Sequence, residues 1–184
     1  MKWFFAVFFC LSFVFLLTFG VNCFYGYLFP VKFNEEVSLA SETFNVEEAV
    51  VYSVINIESR FNRVVISSKG ATGLMQVMPS TAAEAAKELS FEGFDLLNPE
   101  DNIFIGTYYL SKMIDRFKNL ETALCAYNAG PSNVASWLKN EIYSMDGISL
   151  NEIPFQETKN YIQKFHQNYK YYSTKNKLSL IFLL

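Results

Sequence analysis

The chain has 184 residues, enough for one domain with an appendage and too few for two ordinary domains. Hydrophobic residues make up 51% and charged residues 18%, which excludes a disordered chain, and a net charge of −3 offers nothing to nucleic acid. Three Cys and one His leave little room for a structural zinc site. Ten of the 19 Phe fall in the first 33 positions, so the aromatic excess belongs to one segment.

That segment, residues 3–31, contains no charged side chain. A helix needs about 20 such residues to cross a bilayer core of about 30 Å. Residues 1–30 are therefore predicted to be a membrane anchor that spans through residues 3–28. Phe24, Tyr25 and Tyr27 would sit at the far interface. Lys2, the cation before the run, places Met1 in the cytoplasm and the rest of the chain on the extracytoplasmic side. The alternative is a cleaved signal peptide. The run is longer than a usual signal core, no Ala-x-Ala pattern follows it, and Val21-Asn22 before Cys23 is a poor match to lipoprotein processing. Cys10 and Cys23 lie in or beside this segment. Cys125, alone in the remainder, reads as a small core residue.

Residues 31–43 read as a linker, residues 44–175 as a mostly α domain, and residues 176–184 as an apolar tail of no evident role. In the domain, Asn45 and Glu48 suggest a capping box, and Val46, Val50, Val54, Ile57 and Phe61 share one helical face. Residues 67–73 hold two Gly and two Ser and read as a loop. Pro79-Ser80-Thr81 opens an Ala-rich helix, with Thr81 and Glu84 as a second capping pair. Asn98-Pro99-Glu100-Asp101 starts another, whose buried face carries Ile103, Gly106, Leu110, Met113 and Phe117. A helix from Glu121 stops at Gly130-Pro131, a short one covers residues 134–138, and the last long one runs over residues 157–171. No period-two strand and no internal repeat is evident.

Glu58 is the residue best placed for chemistry. It follows the buried stripe of the first domain helix, where partial desolvation raises a carboxyl pKa and keeps it protonated, as a general acid requires. The plain alternative is a boundary Glu paired with Arg60 or Arg63. Residues 59–83 contain no other acid, so no second carboxylate is evident locally, although Glu157 could fold into the site. Gln76 is an amide among apolar residues, serving either the backbone or a sugar. Tyr127-Asn128 puts a phenol and an amide at a helix end, and Tyr161 lies one turn inside the last helix.

Four segments taken together carry a resemblance: Glu58-Ser59-Arg60-Phe61, residues 67–79 ending in Gly73-Leu74-Met75-Gln76-Val77-Met78-Pro79, Ala126-Tyr127-Asn128-Ala129-Gly130-Pro131, and residues 153–161. In this order and spacing, over residues 44–172, the chain resembles the lytic transglycosylases of the soluble-murein-transglycosylase (SLT), goose-lysozyme-like type, in a small membrane-anchored form. Arg63, Cys125 and Lys159 depart from the usual pattern without removing a catalytic group. The resemblance implies a lysozyme-like helical domain acting on the glycan strands of peptidoglycan without metal or organic cofactor. It implies Glu58 as the single catalytic acid/base and Ser67 beside it on the reacting sugar. Gln76 and Met78 would line the groove, Tyr127 and Asn128 would touch substrate, and Tyr161 would set the environment of Glu58. The implied products are 1,6-anhydromuramic ends. A muramidase on the same fold and a non-catalytic glycan-binding anchor protein are the competing readings.

Overall fold

The computed structural model describes the backbone of residues 2–181 and the side chains of residues 11–21 and 23–175. The chain divides into two compact units, Met1–Val31 and Lys32–Leu184. The side chain of Cys10 and the end of the apolar tail, residues 182–184, lie outside the described residues.

The first unit is one helix, α1 (Lys2–Leu28). At 1.5 Å per residue its 27 residues extend about 40 Å. Within it, Leu11–Leu28 is long and apolar enough to cross a membrane, and none of that window is buried against protein.

The second unit consists, among the described residues, of helices α2 (Asn34–Phe44), α3 (Glu48–Glu58), α4 (Pro79–Leu89), α5 (Pro99–Phe117), α6 (Leu120–Ala129), α7 (Pro131–Trp137) and α8 (Gln156–Ile181). No β-strand occurs among them, only isolated bridges joining Ile66 to Thr72 and Thr72 to Val77. The mostly α expectation thus holds. Helix α3 is the centre of the core. Eight consecutive residues, Ala49 through Asn56, are buried, the pattern of a helix enclosed on every side. It packs on α8, and α5 packs on α2, α4 and α6. Helix α8 offers Tyr161, Ile162, Phe165 and Tyr172 as one buried stripe. Asn56 in α3 donates its amide to Asn168 in α8 at 2.6 Å, a buried polar tie between the two.

Several boundaries differ from the sequence reading. The expected linker over residues 31–43 is mostly helix α2, which buries Val37, Ala40 and Ser41. Asn45 does not cap α3. It adopts left-handed backbone (φ 52°) and ends α2, its N–H bonding to Ser41 O, and α3 starts without a side-chain cap. Thr81 lies inside α4, whose first residue is Pro79. Asn98 does cap α5, accepting from the Glu100 N–H at 2.9 Å, and α8 continues ten residues beyond residue 171.

The loop between α3 and α4 is pinned by buried Asn102 of α5. Its Oδ1 accepts from the Met75 N–H at 2.8 Å, and its amide donates to Thr72 O and Leu96 O, each at 2.9 Å. Gly106, one turn on, admits the Met75 side chain: a Cβ there would meet Met75 Sδ at 2.6 Å. Asn102→Ala would leave the Met75 N–H and the Leu96 carbonyl without this partner, while Thr72 O would keep the Val77 N–H at 3.1 Å. Unsatisfied buried groups cost about 1–3 kcal/mol each, so we expect a loss of about 3 kcal/mol in urea unfolding. A loss under about 1 kcal/mol would mean that water replaces the amide.

Candidate active site

Glu58 is the last residue of α3. The chain then turns sharply: Arg60 and Phe61 have φ of 51° and 61°, and Phe61 is buried. Among the described residues no ion pair joins Glu58 to Arg60 or Arg63. Its carboxyl instead opens onto a cleft of about 570 Å³. Of the residues singled out from the sequence, Glu58, Ser67, Gln76, Met78, Tyr127 and Asn128 all line this cleft. Tyr161 does not line it. It is buried, with a hydroxyl that makes no hydrogen bond of normal length, and Glu58 is the acid close enough for that hydroxyl to stabilise.

Burial pushes the Glu58 carboxyl up from 4.5 to about 7. The Tyr161 hydroxyl opposes this by favouring the carboxylate. The charge of Glu157 adds to the rise, and Lys164 subtracts from it. A group in this state holds a proton near neutrality and can take it back after giving it up.

Three of the polar residues spend part of their bonding capacity on the cleft wall. Tyr127 donates its hydroxyl to Met75 O at 2.8 Å. Burial raises its pKa well above the usual phenol value, and the Glu58 charge adds to this, so it stays a neutral donor. Gln76, at φ 49°, donates its amide to Gly73 O at 2.9 Å and Val65 O at 3.1 Å. Asn128 Oδ1 accepts from Thr158 at 2.7 Å. What remains for a ligand is the Gln76 amide oxygen and the Asn128 amide nitrogen. Ser67 Oγ accepts from the Ala71 N–H at 3.0 Å, which leaves its proton to donate. Met78 supplies an exposed apolar rim.

The structure adds residues that the sequence did not single out as lining the site. Tyr109, at the edge of the predicted α5 stripe, packs its ring at 5.5 Å from that of Tyr127, tilted by 51°, and lines the cleft. Glu157, the distant acid that the sequence left open as a second carboxylate, is exposed in the first turn of α8 and lines the cleft as well. Asn102 holds the wall from behind. The thiol of Cys125 is buried and pushed up to about 12 by burial, which makes it unreactive.

A cleft with one protonatable carboxyl at the end of a buried helix, in an all-helical lysozyme-like frame, defines the class of protein. Residues 36–146 match the family model described as the transglycosylase SLT domain, and the chain belongs to that family. It is 35% identical over 153 residues to a soluble lytic murein transglycosylase of Escherichia coli K12, covering 78% of this chain and 24% of that protein. It is 28% identical over 144 residues to membrane-bound lytic murein transglycosylase E of Buchnera aphidicola, covering 72% and 67%. The X-ray structure of lytic transglycosylase Slt from Pseudomonas aeruginosa, in an inactive mutant form, superposes with a TM-score of 0.74 at 29% identity, covering 83% of this chain and 26% of that one. The chain spans about a quarter of the length of the first of these relatives.

The opposing influences on Glu58 are separable. In carboxyl-carbon NMR titrations of full-length protein we expect an apparent pKa of about 7 for Glu58. Tyr161→Phe should move it higher, because it removes the hydroxyl that favours the carboxylate. Glu157→Gln should move it lower, because it removes a repelling charge. A value in the ordinary carboxylate range in the unsubstituted protein would contradict the burial argument.

Proposed function

We propose that this chain cleaves the glycan strands of peptidoglycan between N-acetylmuramic acid and N-acetylglucosamine, with Glu58 as acid and then base. The observation that carries this reading is the Glu58 carboxyl held near neutrality on the cleft. Family membership and relatives named lytic murein transglycosylases support it.

Protonated Glu58 gives its proton to the glycosidic oxygen as the bond from muramic acid C1 breaks, and N-acetylglucosamine leaves with a free 4-hydroxyl. The N-acetyl carbonyl of the muramic acid stabilises the cation at C1. Its O6 then attacks C1, and the O6 proton passes to the Glu58 carboxylate. The acid is regenerated, no water is consumed, and the new end is a 1,6-anhydro ring. Ser67, Gln76 and Asn128 hold the sugar through the bonding capacity their wall contacts leave free. Met78 gives it an apolar rest, Tyr127 sits beside the reacting centre, and Tyr161 tunes Glu58. One observation favours a hydrolytic second reading: Glu157 lines the same cleft and offers a second carboxylate to activate water.

Glu58→Gln keeps the shape of the side chain and cannot cycle a proton. General acid–base catalysis contributes about 10²–10⁴-fold, and one group here does both jobs, so turnover by full-length protein in detergent should fall at least that far while strand binding remains. Products of the unsubstituted protein should be non-reducible muramic ends, one water lighter than hydrolytic ones. Reducible muramic ends would favour the Glu157-assisted hydrolase. Near-normal turnover by Glu58→Gln would remove Glu58 from the mechanism.

We also infer that α1 is an uncleaved single-pass anchor with the catalytic unit on the extracytoplasmic side. The length and apolarity of α1, relatives named as membrane-bound, and a substrate that lies outside the cytoplasmic membrane support this placement. The protein should sediment with membranes after a salt wash, and external protease should digest the catalytic unit in spheroplasts. A mature N-terminus at or beyond Cys23 would show cleavage, and a protected catalytic unit would reverse the topology.

A further inference from the structure

Beside the cleft lies a second hollow of about 260 Å³ between α4 and α5. Thr81, Tyr109 and Pro131 line both, so the two are contiguous, with the Tyr109 ring between them. The lining differs in character. The cleft has amides and hydroxyls around Glu58, with Lys69 and Glu157 also in its lining, whereas the smaller hollow gathers Glu84, Lys112 and Arg116. Lys112 is already neutralised, since Glu88 accepts from its ammonium at 2.6 and 2.7 Å. Arg116 and Glu84 take part in none of the ion pairs among the described residues. The charges of Glu84, Lys112 and Arg116 all act on the Tyr109 hydroxyl, which places them around one point. The Arg116 guanidinium lies 5.2 Å from the centre of the Phe117 ring and, among the described residues, has no carboxylate in an ion pair with it, which leaves a planar fork suited to a carboxylate.

We propose that this hollow is a subsite for the carboxylate-bearing branch of a muramic acid seated in the neighbouring cleft, and that Arg116 binds that carboxylate. The inference rests on the peptidoglycan reading above. The sugar rings of such a strand are uncharged. Charge is carried on the branch at C3 of muramic acid, as peptide carboxylates where a stem is attached or as the lactyl carboxylate where it is not. A hollow that opens off the sugar cleft and carries a cation held by no carboxylate among the described residues matches a branch leaving the sugar sideways. Glu84, at the same hollow, repels a second carboxylate and accepts an ammonium or amide N–H of the stem. Arg116 is thereby a specificity residue, reading the branch while Glu58 acts on the backbone sugar.

The test is binding by full-length Glu58→Gln protein in detergent, with and without Arg116→Gln. Three probes are used: soluble strands with stems, the same strands with carboxyls converted to methylamides, and strands stripped of stems by an amidase. A charge-assisted hydrogen bond at a partly exposed site is worth about tenfold in affinity. On intact strands Arg116→Gln should therefore raise Kd about tenfold, with Arg116→Lys between. Methylamidation should raise the Kd of the protein that keeps Arg116 to the same level and leave that of the double variant, Glu58→Gln with Arg116→Gln, unmoved. Stripped strands that still bind tightly and respond to Arg116 assign the lactyl carboxylate. Stripped strands that bind weakly without responding assign the stem. Equal Kd for both proteins on intact strands, or no binding by either, overturns the subsite. The catalytic reading is judged separately, by the products of the unsubstituted protein.

Discussion

The structure depends on one arrangement, a carboxyl at the terminus of the most buried helix among the described residues. Helix α3 is enclosed along eight residues and presents its last residue, Glu58, to the cleft. Burial is the larger cause of its raised pKa, and the C-terminal end of a helix is also a poor place for negative charge. The arrangement has an energetic consequence. A carboxyl raised from 4.5 to about 7 gives stability that is fully present below the unfolded value and lost as pH rises through the folded one. The loss is on the order of 3 kcal/mol by the usual conversion, a large share of a domain's stability. The core of valines and isoleucines around α3, closed by α8, offsets that cost.

The second constraint is the position of Met75. Its N–H goes to Asn102, its carbonyl to Tyr127, and its side chain lies against Gly106 and takes a bond from Thr107 at 3.6 Å. Four points of attachment fix one residue of the loop, and the next residue, Gln76, is fixed by its own amide. Polar residues that line a cleft are readily assigned to its ligand. Here Tyr127, Gln76 and Asn128 first hold the wall in place, and only their remaining donors and acceptors face the cleft. Removing any of them would disturb the cleft's shape as well as its chemistry, so a loss of activity on substitution would not by itself mark a substrate contact.

The helical class was legible because α5 and α8 repeat apolar residues at three and four, and because Asn98-Pro99 is a strong start signal whose cap forms. Helix α2 was missed because its weak stripe of Val37, Ala40 and Ser41 has little apolar surface, and its burial comes from α5, more than sixty residues away in sequence. Asn45 misled for a related reason: the side chain that caps a helix start also tolerates the left-handed turn that ends one. Glu58 stood out by its neighbours, a buried stripe before it and an acid-free stretch after it. Asn102 and Tyr109 had no such sign. Each is an ordinary helix residue whose importance comes from a loop or a ring brought to it by the fold.

The turn after Glu58 shows how local strain serves the cleft. Two consecutive residues with side chains, Arg60 and Phe61, adopt left-handed backbone, as does Gln76 on the facing loop. Such conformations cost about 1–3 kcal/mol each and persist only where the surroundings enforce them. Phe61 is buried near Tyr52, with ring centres 6.3 Å apart, and Tyr52 stacks in turn on Tyr172 of α8 at 5.4 Å. Burying a phenylalanine contributes about 1.5–3 kcal/mol, comparable to the strain of its own backbone. The aromatic anchor thus holds the chain in a reversal that stops α3 at Glu58. A continued helix would carry the chain past the point where it now turns. The loop would then no longer return to place Ser67 and Gln76 on the cleft that Glu58 faces.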